Sequence, residues 1–290
     1  MREKGITQTG VIKKALGTGF QAMADFPQIV YPFAIIAVIE VIGLLLIFAA
    51  LQPPFVKYSM PIIERFWGAK FLHYPLILLL LSHLHYYFQT VVAVFCGAFA
   101  SGMTISAFKQ YKQEKFITLR SAARDALHSY WHLLAINLIV FALVQCAFVF
   151  KRQAVFKMIL AMRNHFGDEG NWMLIHATAA LFIGAVVQSL FVFAQPAVVI
   201  EGKNFISAIF KSLILTLKNL WVTFVLVIFP LSLFLPIALL KNKLLFLMQR
   251  FVPEVIFLVL AAGILLSFFL NAGITIMVSA GYFIIKDERA

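Results

Sequence analysis

Residues 196–213, PAVVIEGKNFISAIFKSL, decide how this chain is parsed. They close a run without Asp, Glu, Lys or Arg that begins at residue 170, cross Glu201, Gly202 and Lys203, and then turn apolar again. In the second half, polar side chains recur at helical intervals. Ser207, Lys211 and Lys218 share one stripe, with Ser212, Thr216 and Asn219 beside it and apolar residues opposite, which is the pattern of an amphipathic helix. A basic helix of this kind is expected to lie along a membrane surface with its apolar side buried. Gly202 suits the turn that follows a helix end, and Trp221 opens the next apolar run. The stretch reads as an elbow between two membrane spans.

The rest of the chain supports a membrane setting. Of 290 residues, 62% are hydrophobic and 12% charged, and the mean hydropathy is +0.95. Soluble domains carry about 45–50% apolar and about 25% charged residues. Glu40 is the one charge within 26–56, and none occurs in 71–108, 126–150, 170–200, 219–240 or 255–285. A span needs roughly 20 apolar residues. The expected architecture is an all-α polytopic membrane protein, one transmembrane domain over 1–290, with spans at about 28–51, 83–107, 130–150, 173–200, 220–240 and 255–285. The 71–108 run is too long for one straight crossing, and a break at the SHLH of 82–85 is expected. The first apolar run is long enough to remain as a span rather than a cleaved signal. Cys96 and Cys146 fall inside spans as small apolar fillers.

The formal net charge of +12 is scattered over every loop, which fits orientation in a membrane and attraction to anionic headgroups better than nucleic acid. Lys13, Lys14, Arg120, Arg124, Lys203, Lys211 and Lys218 are the expected headgroup contacts. The N-terminus, 108–128, 201–219 and the C-terminus hold 14 Lys/Arg against 10 in the other loops, which favours both termini in the cytoplasm. Trp67, Trp131, Trp172 and Trp221 lie at or near span starts, where aromatic rings anchor at headgroup level.

Two further amphipathic segments precede the first and third spans. Lys14, Thr18, Gln21 and Asp25, then Ser121, Asp125, His128 and His132, fall at i, i+4, i+7 and i+11. With the elbow they suggest three units, each an interfacial helix followed by a transmembrane hairpin.

Glu40, in AVIEVIG, sits near the middle of the first span. An acidic residue at a helix centre in lipid costs about 2.5–3.5 kcal/mol on insertion scales. It marks either a proton or cation site, with Gln89, Gln145, Gln188 or Asn271 as neighbours, or a protonated carboxyl bonded across a helix interface. No second charge falls within a span on this parse. Asp125, His128 and His132 share one face and offer a divalent-metal arrangement; the competing reading is the wet side of a surface helix. His73, His83, His85, His165 and His176 fall on or near the side opposite the termini and read as interfacial residues. GAFASG at 97–102 and the small residues of 261–281 permit close helix approach. Pro230 and Pro236 kink the fifth span or mark its exit. Walker-type, HExxH and GxSxG motifs are missing, the loops are too short for a catalytic domain, and no cofactor is implied.

Residues 196–221 resemble a diffuse group of six-helix bacterial inner-membrane proteins, one that includes the membrane domain fused to some glycerophosphodiester phosphodiesterases. The resemblance rests on Pro196, Glu201, Gly202, Ala208, Ser212 and Trp221. It implies the six-helix fold and a bacterial inner-membrane location, and no activity. Two functions follow as expectations. One is a non-enzymatic protein that organises lipids or a membrane protein partner, itself included as a homo-oligomer. The other is a transporter or channel-like permease using Glu40 at the membrane midplane.

Overall fold

The computed structural model describes the chain apart from residues 1–6, 115–117, 163–168 and 288–290 and the side chains of 149–162, 169–177, 180, 181 and 242. In chain order the helices are α1 (Gln8–Asp25), α2 (Tyr31–Ala50), α3 (Val56–Phe66), α4 (Leu76–Lys112), α5 (Leu119–Met162), α6 (Glu169–Phe191), α7 (Ala194–Glu201), α8 (Phe205–Lys218), α9 (Leu220–Ser232), α10 (Leu235–Asn242), α11 (Leu244–Arg250) and α12 (Val255–Asp287). Short 3₁₀ turns at Pro27–Val30 and Ala69–Leu72 lead into α2 and α4. No strand occurs among the described residues.

Five segments are long and apolar enough to cross a bilayer: Pro27–Ala50, Leu76–Lys112, Leu119–Phe148, Phe182–Glu201 and Val255–Asp287. A sixth passes if α8 and α9, bent by 99° at Asn219, count as one broken span. The chain thus has the build of a multi-pass membrane protein. Large apolar side chains such as Leu46, Phe210, Phe229 and Leu258 point outward, as lipid-facing positions require.

Among the described residues the interior holds, besides a small core of Phe33, Ala100 and Ala272, two large apolar cores. One, at the end of the bundle where α1 meets the last turns of α12, joins Val11, Ala15, Phe108, Phe193, Leu226 and Tyr282. There Ala15 lies beside Gly281 and Gly19 beside Met277. The other core, at the far end, joins Leu44, Leu51, Ile63, Leu81, Met248 and Leu260. Helix α4 runs through both and packs on α2, α5, α7 and α12. Two glycines permit its close contacts. Any Cβ on Gly43 would overlap the Phe88 ring, and one on Gly102 would come within 2.6 Å of a Leu133 methyl.

Several elements differ from the sequence expectation. Helix α4 is unbroken through 82–85: Pro75 stands at its N-cap and no proline lies within it. It extends beyond a single crossing instead of breaking. The amphipathic segment before the third span is continuous with it: α5 has no elbow from Leu119 onward, so a separate amphipathic helix stands ahead of the next apolar one at α1 and α8 but not here. The fourth expected span is divided at Val192–Phe193 into α6 and α7. The fifth stops at Ser232 and restarts at Leu235, with Pro230 inside α9 and Pro236 in the first turn of α10.

Helix α8 is inverted relative to the surface-helix reading. Ala208, Ser212, Leu215 and Thr216 are buried, while Ile206, Phe210, Ile214 and Leu217 are more than half exposed. Part of the polar stripe therefore faces protein. Ser212 Oγ donates to the Leu190 carbonyl at 2.8 Å and accepts from the Phe193 N–H at 3.2 Å. Thr216 Oγ1 donates to the Ser189 carbonyl at 3.0 Å. These are backbone groups left open by the α6–α7 break, and in lipid each must find a partner within the protein.

Candidate functional site

A cavity of about 360 Å³ lies among α2, α4, α5, α6, α7 and α12. Its walls are mostly apolar and include Phe33, Phe141, Phe191 and Phe268. The polar groups that reach it are Glu40, Ser101, Asn137, Gln188, Gln195, Ser267, Asn271 and Thr275. Residues of both apolar cores border it, Ile264 from the far core and Ile105, Ile136 and Val278 from the other, so the space lies between the two. Apolar walls with a few convergent polar groups are the usual form of a small-molecule site, at about 300–1,000 Å³.

Helix α2 places Glu40 here, 5% exposed. Of the four amides expected beside it, Gln89 donates from Nε2 to Glu40 Oε2 at 3.0 Å. Gln188 and Asn271 line the same cavity, and Gln145 is not among the lining residues. Two amides that the sequence did not single out form part of the wall: Gln195 Nε2 donates to Asn137 Oδ1 at 2.7 Å, and Asn137 Nδ2 donates to the Val94 carbonyl at 3.3 Å.

A second charge does approach Glu40, contrary to the sequence parse. Lys241, at the end of α10, interacts electrostatically with both Glu40 and His85. The 219–240 run is not one straight span, and the break at 233–234 lets α10 pack on α6 and α12. Gly263 makes room: a Cβ there would meet Lys241 Cε and Nζ at 3.3 Å. The next residue, Ile264, lines the cavity, whereas Lys241 itself is not among the lining residues. His85 is buried, 1% exposed, where the sequence suggested an interfacial residue, whereas His83, two residues earlier on the helix, is exposed. Neither ring nitrogen of His85 has a hydrogen-bond partner.

The other sequence candidates are dispersed. Asp125 Oδ2 accepts from Ser106 Oγ at 2.8 Å, His132 stacks on Phe205, and His128 is exposed. No group of three or more His, Cys, Asp or Glu placed to hold a metal occurs among the described residues. Lys13, Lys14, Arg120, Arg124 and Lys218 are exposed. Lys203 and Lys211 instead turn toward Glu201, at 3.5 Å and 2.5 Å, and Lys286 approaches it at 3.8 Å. Tyr282 donates to the same carboxylate at 2.7 Å. Lys109 Nζ reaches the Val199 and Ile200 carbonyls at 3.4 and 3.3 Å, a favourable place for a cation at a helix C-terminus. Trp131 and Trp221 are largely exposed, and Trp67 packs against the far core. The side chains of Trp172 and His176, and the whole of His165, lie outside the described residues.

Comparison with family models, with curated proteins and with solved structures finds no match.

Proposed function

We propose that this protein is a permease-type membrane protein whose mid-membrane cavity takes a small organic cation. The observation that carries the reading is Glu40: a carboxylate held in an otherwise charge-free span, on the wall of a cavity of about 360 Å³. Phe33, Phe141, Phe191 and Phe268 offer aromatic surface, and cations are drawn to aromatic faces. Asn137, Gln188, Gln195 and Asn271 provide the few polar contacts that would orient such a solute.

The test is uptake of labelled tetraethylammonium into proteoliposomes of the purified protein. The wild type takes up the probe above empty vesicles, and Glu40→Gln loses most of that uptake. Equal uptake by variant and wild type refutes the reading.

A second reading, organisation of lipids or a partner membrane protein, is favoured by the outward apolar face of α8 and by the exposed Lys13, Lys14, Arg120, Arg124 and Lys218. It predicts that replacing those five basic residues by Gln lowers the anionic lipid that co-purifies in mild detergent. Undiminished anionic lipid rejects it. In both readings the six-span parse, a bacterial inner-membrane location and cytoplasmic termini are the working topology, supported by the Lys/Arg distribution and by the family resemblance of 196–221.

A further inference from the structure

Helices α2 and α5 both pack on α4 and leave a second hollow, of about 370 Å³, on its flank. Pro32 and Ile39 of α2, Phe95 and Met103 of α4, and Leu127 and Tyr130 of α5 lie along it. The lining side chains are apolar apart from one hydroxyl, and that group, on Tyr130, turns to the Phe95 carbonyl at 3.4 Å. Ile35, Phe95 and Leu127 are 58%, 45% and 67% exposed, so the hollow is a groove open to the side. Unlike the Glu40 cavity it offers nothing to a polar solute, and it suits hydrocarbon.

The direction of the groove follows from the contacts along it. Thr104 Oγ1 donates to the Ile29 carbonyl just ahead of α2, and Gln89 meets Glu40 further along, so α2 and α4 run antiparallel. Ser106 meets Asp125, and Phe95 meets Tyr130, so α4 and α5 are antiparallel as well. Pro32, Met103 and Leu127 therefore mark one end. Phe95 marks the other with Ile39, the neighbour of Glu40 in mid-span. Between Phe95 and Met103 the groove runs about 12 Å at 1.5 Å per residue.

The end at Leu127 carries the charge. Arg124 and Arg120 precede Leu127 by three and seven residues and share its helix face. Both are exposed, and neither makes an ion pair among the described residues. Asp125, next to Arg124 in sequence, is engaged by Ser106. The groove thus starts below two uncommitted cations and leads away from them over apolar surface alone.

We propose that this groove holds one acyl chain of an anionic phospholipid whose phosphate is bound by Arg120 and Arg124. The planar guanidinium fork matches phosphate oxygens, and the order of charge followed by hydrocarbon is that of the lipid itself. A helix of a second copy, about 10–12 Å across with its side chains, is too broad for a hollow of this volume drawn out over about 12 Å. The inference rests on the lipid reading above and narrows it to a single site; the cation reading does not depend on it.

The test is native mass spectrometry of the full-length protein, released from micelles containing equal amounts of phosphatidylglycerol and phosphatidylcholine. The wild type retains phosphatidylglycerol in preference to phosphatidylcholine. In Arg120→Gln/Arg124→Gln the preference falls by about fivefold per charge removed, the factor a basic residue contributes at an anionic surface. Lys13→Gln/Lys14→Gln/Lys218→Gln leaves it unchanged. Ile35→Trp, which narrows the groove from an exposed position, lowers retention of both lipids. An arginine variant that keeps the wild-type preference overturns the site. Equal losses in the lysine and arginine variants also overturn it but leave the lipid reading standing, since the whole basic surface then holds the headgroups. A wild type without any preference refutes both. A dimer that Ile35→Trp splits gives the groove to a second copy and overturns the lipid site.

Discussion

Tyr282 donates its hydroxyl hydrogen to Glu201 over 2.7 Å, joining the last turns of α12 to the end of α7 at the point where the chain bends into α8. Lys211 and Lys203 complete the carboxylate's surroundings. Hydrogen bonds to charged groups contribute about 1.5–3 kcal/mol, less where water reaches them, and Glu201 retains 13% side-chain exposure. Tyr282→Phe is expected to lower stability by about 1 kcal/mol, read as a fall in midpoint in detergent unfolding followed by tryptophan fluorescence. Glu201→Gln should cost more, because three lysines lose their common partner.

Ser212→Ala tests the repair of the α6–α7 break. The variant leaves the Leu190 carbonyl and the Phe193 N–H without the hydroxyl that serves both. The expected loss is about 1–3 kcal/mol. Ser207→Ala, on an exposed position of the same helix, should stay within about 0.5 kcal/mol. Equal effects from the two serines would contradict the inward assignment of Ser212.

Gly202 occupies a left-handed conformation, φ 67°, and its N–H closes α7 onto the Val198 carbonyl. A Cβ there has open space around it, so the penalty for Gly202→Ala comes from the backbone alone, about 1–2 kcal/mol. Gly202→Asn should recover part of it, since Asn tolerates this region better. Thermal unfolding of the three proteins checks the order Gly, Asn, Ala.

Gly43→Ala forces a methyl into the Phe88 ring. Overpacking of this kind costs about 1–3 kcal/mol. Phe88→Ala alone leaves a cavity and is also destabilising, but the double variant should be more stable than the sum of the two losses predicts. A purely additive cycle would mean that the two residues are not in contact.

The sequence disclosed the build of a multi-pass membrane protein because long runs without charge are a direct imprint of hydrocarbon. It disclosed Glu40 for the same reason, and it named Gln89 before the hydrogen bond was known. Lys241 was hidden because 219–240 has the length of a span, while the helix actually ends at Ser232 and folds again. The signal available was Pro230 and Pro236, six residues apart. His85 was hidden by its neighbours His83, Tyr86 and Tyr87, which look interfacial; its i, i+4 relation to Gln89 was the clue. The stripe on α8 misled for a deeper reason. A polar face in water turns outward, but in lipid the protein interior is where hydroxyl groups find partners, and Ser212 and Thr216 take that course.

The length of α4 has a consequence for the surrounding bilayer. Its 37 residues reach about 55 Å at 1.5 Å per residue, against a hydrocarbon core of about 30 Å. Even a tilt of 40°, the upper end of the usual range, leaves about 42 Å along the membrane normal. At its first turns, α4 carries Leu78, Leu80 and Leu81, which share a core with Leu51, Ile63, Leu244 and Met248. The far core thus covers this stretch of α4 with side chains of the same chain, so that these leucines need no acyl chains to keep them from water.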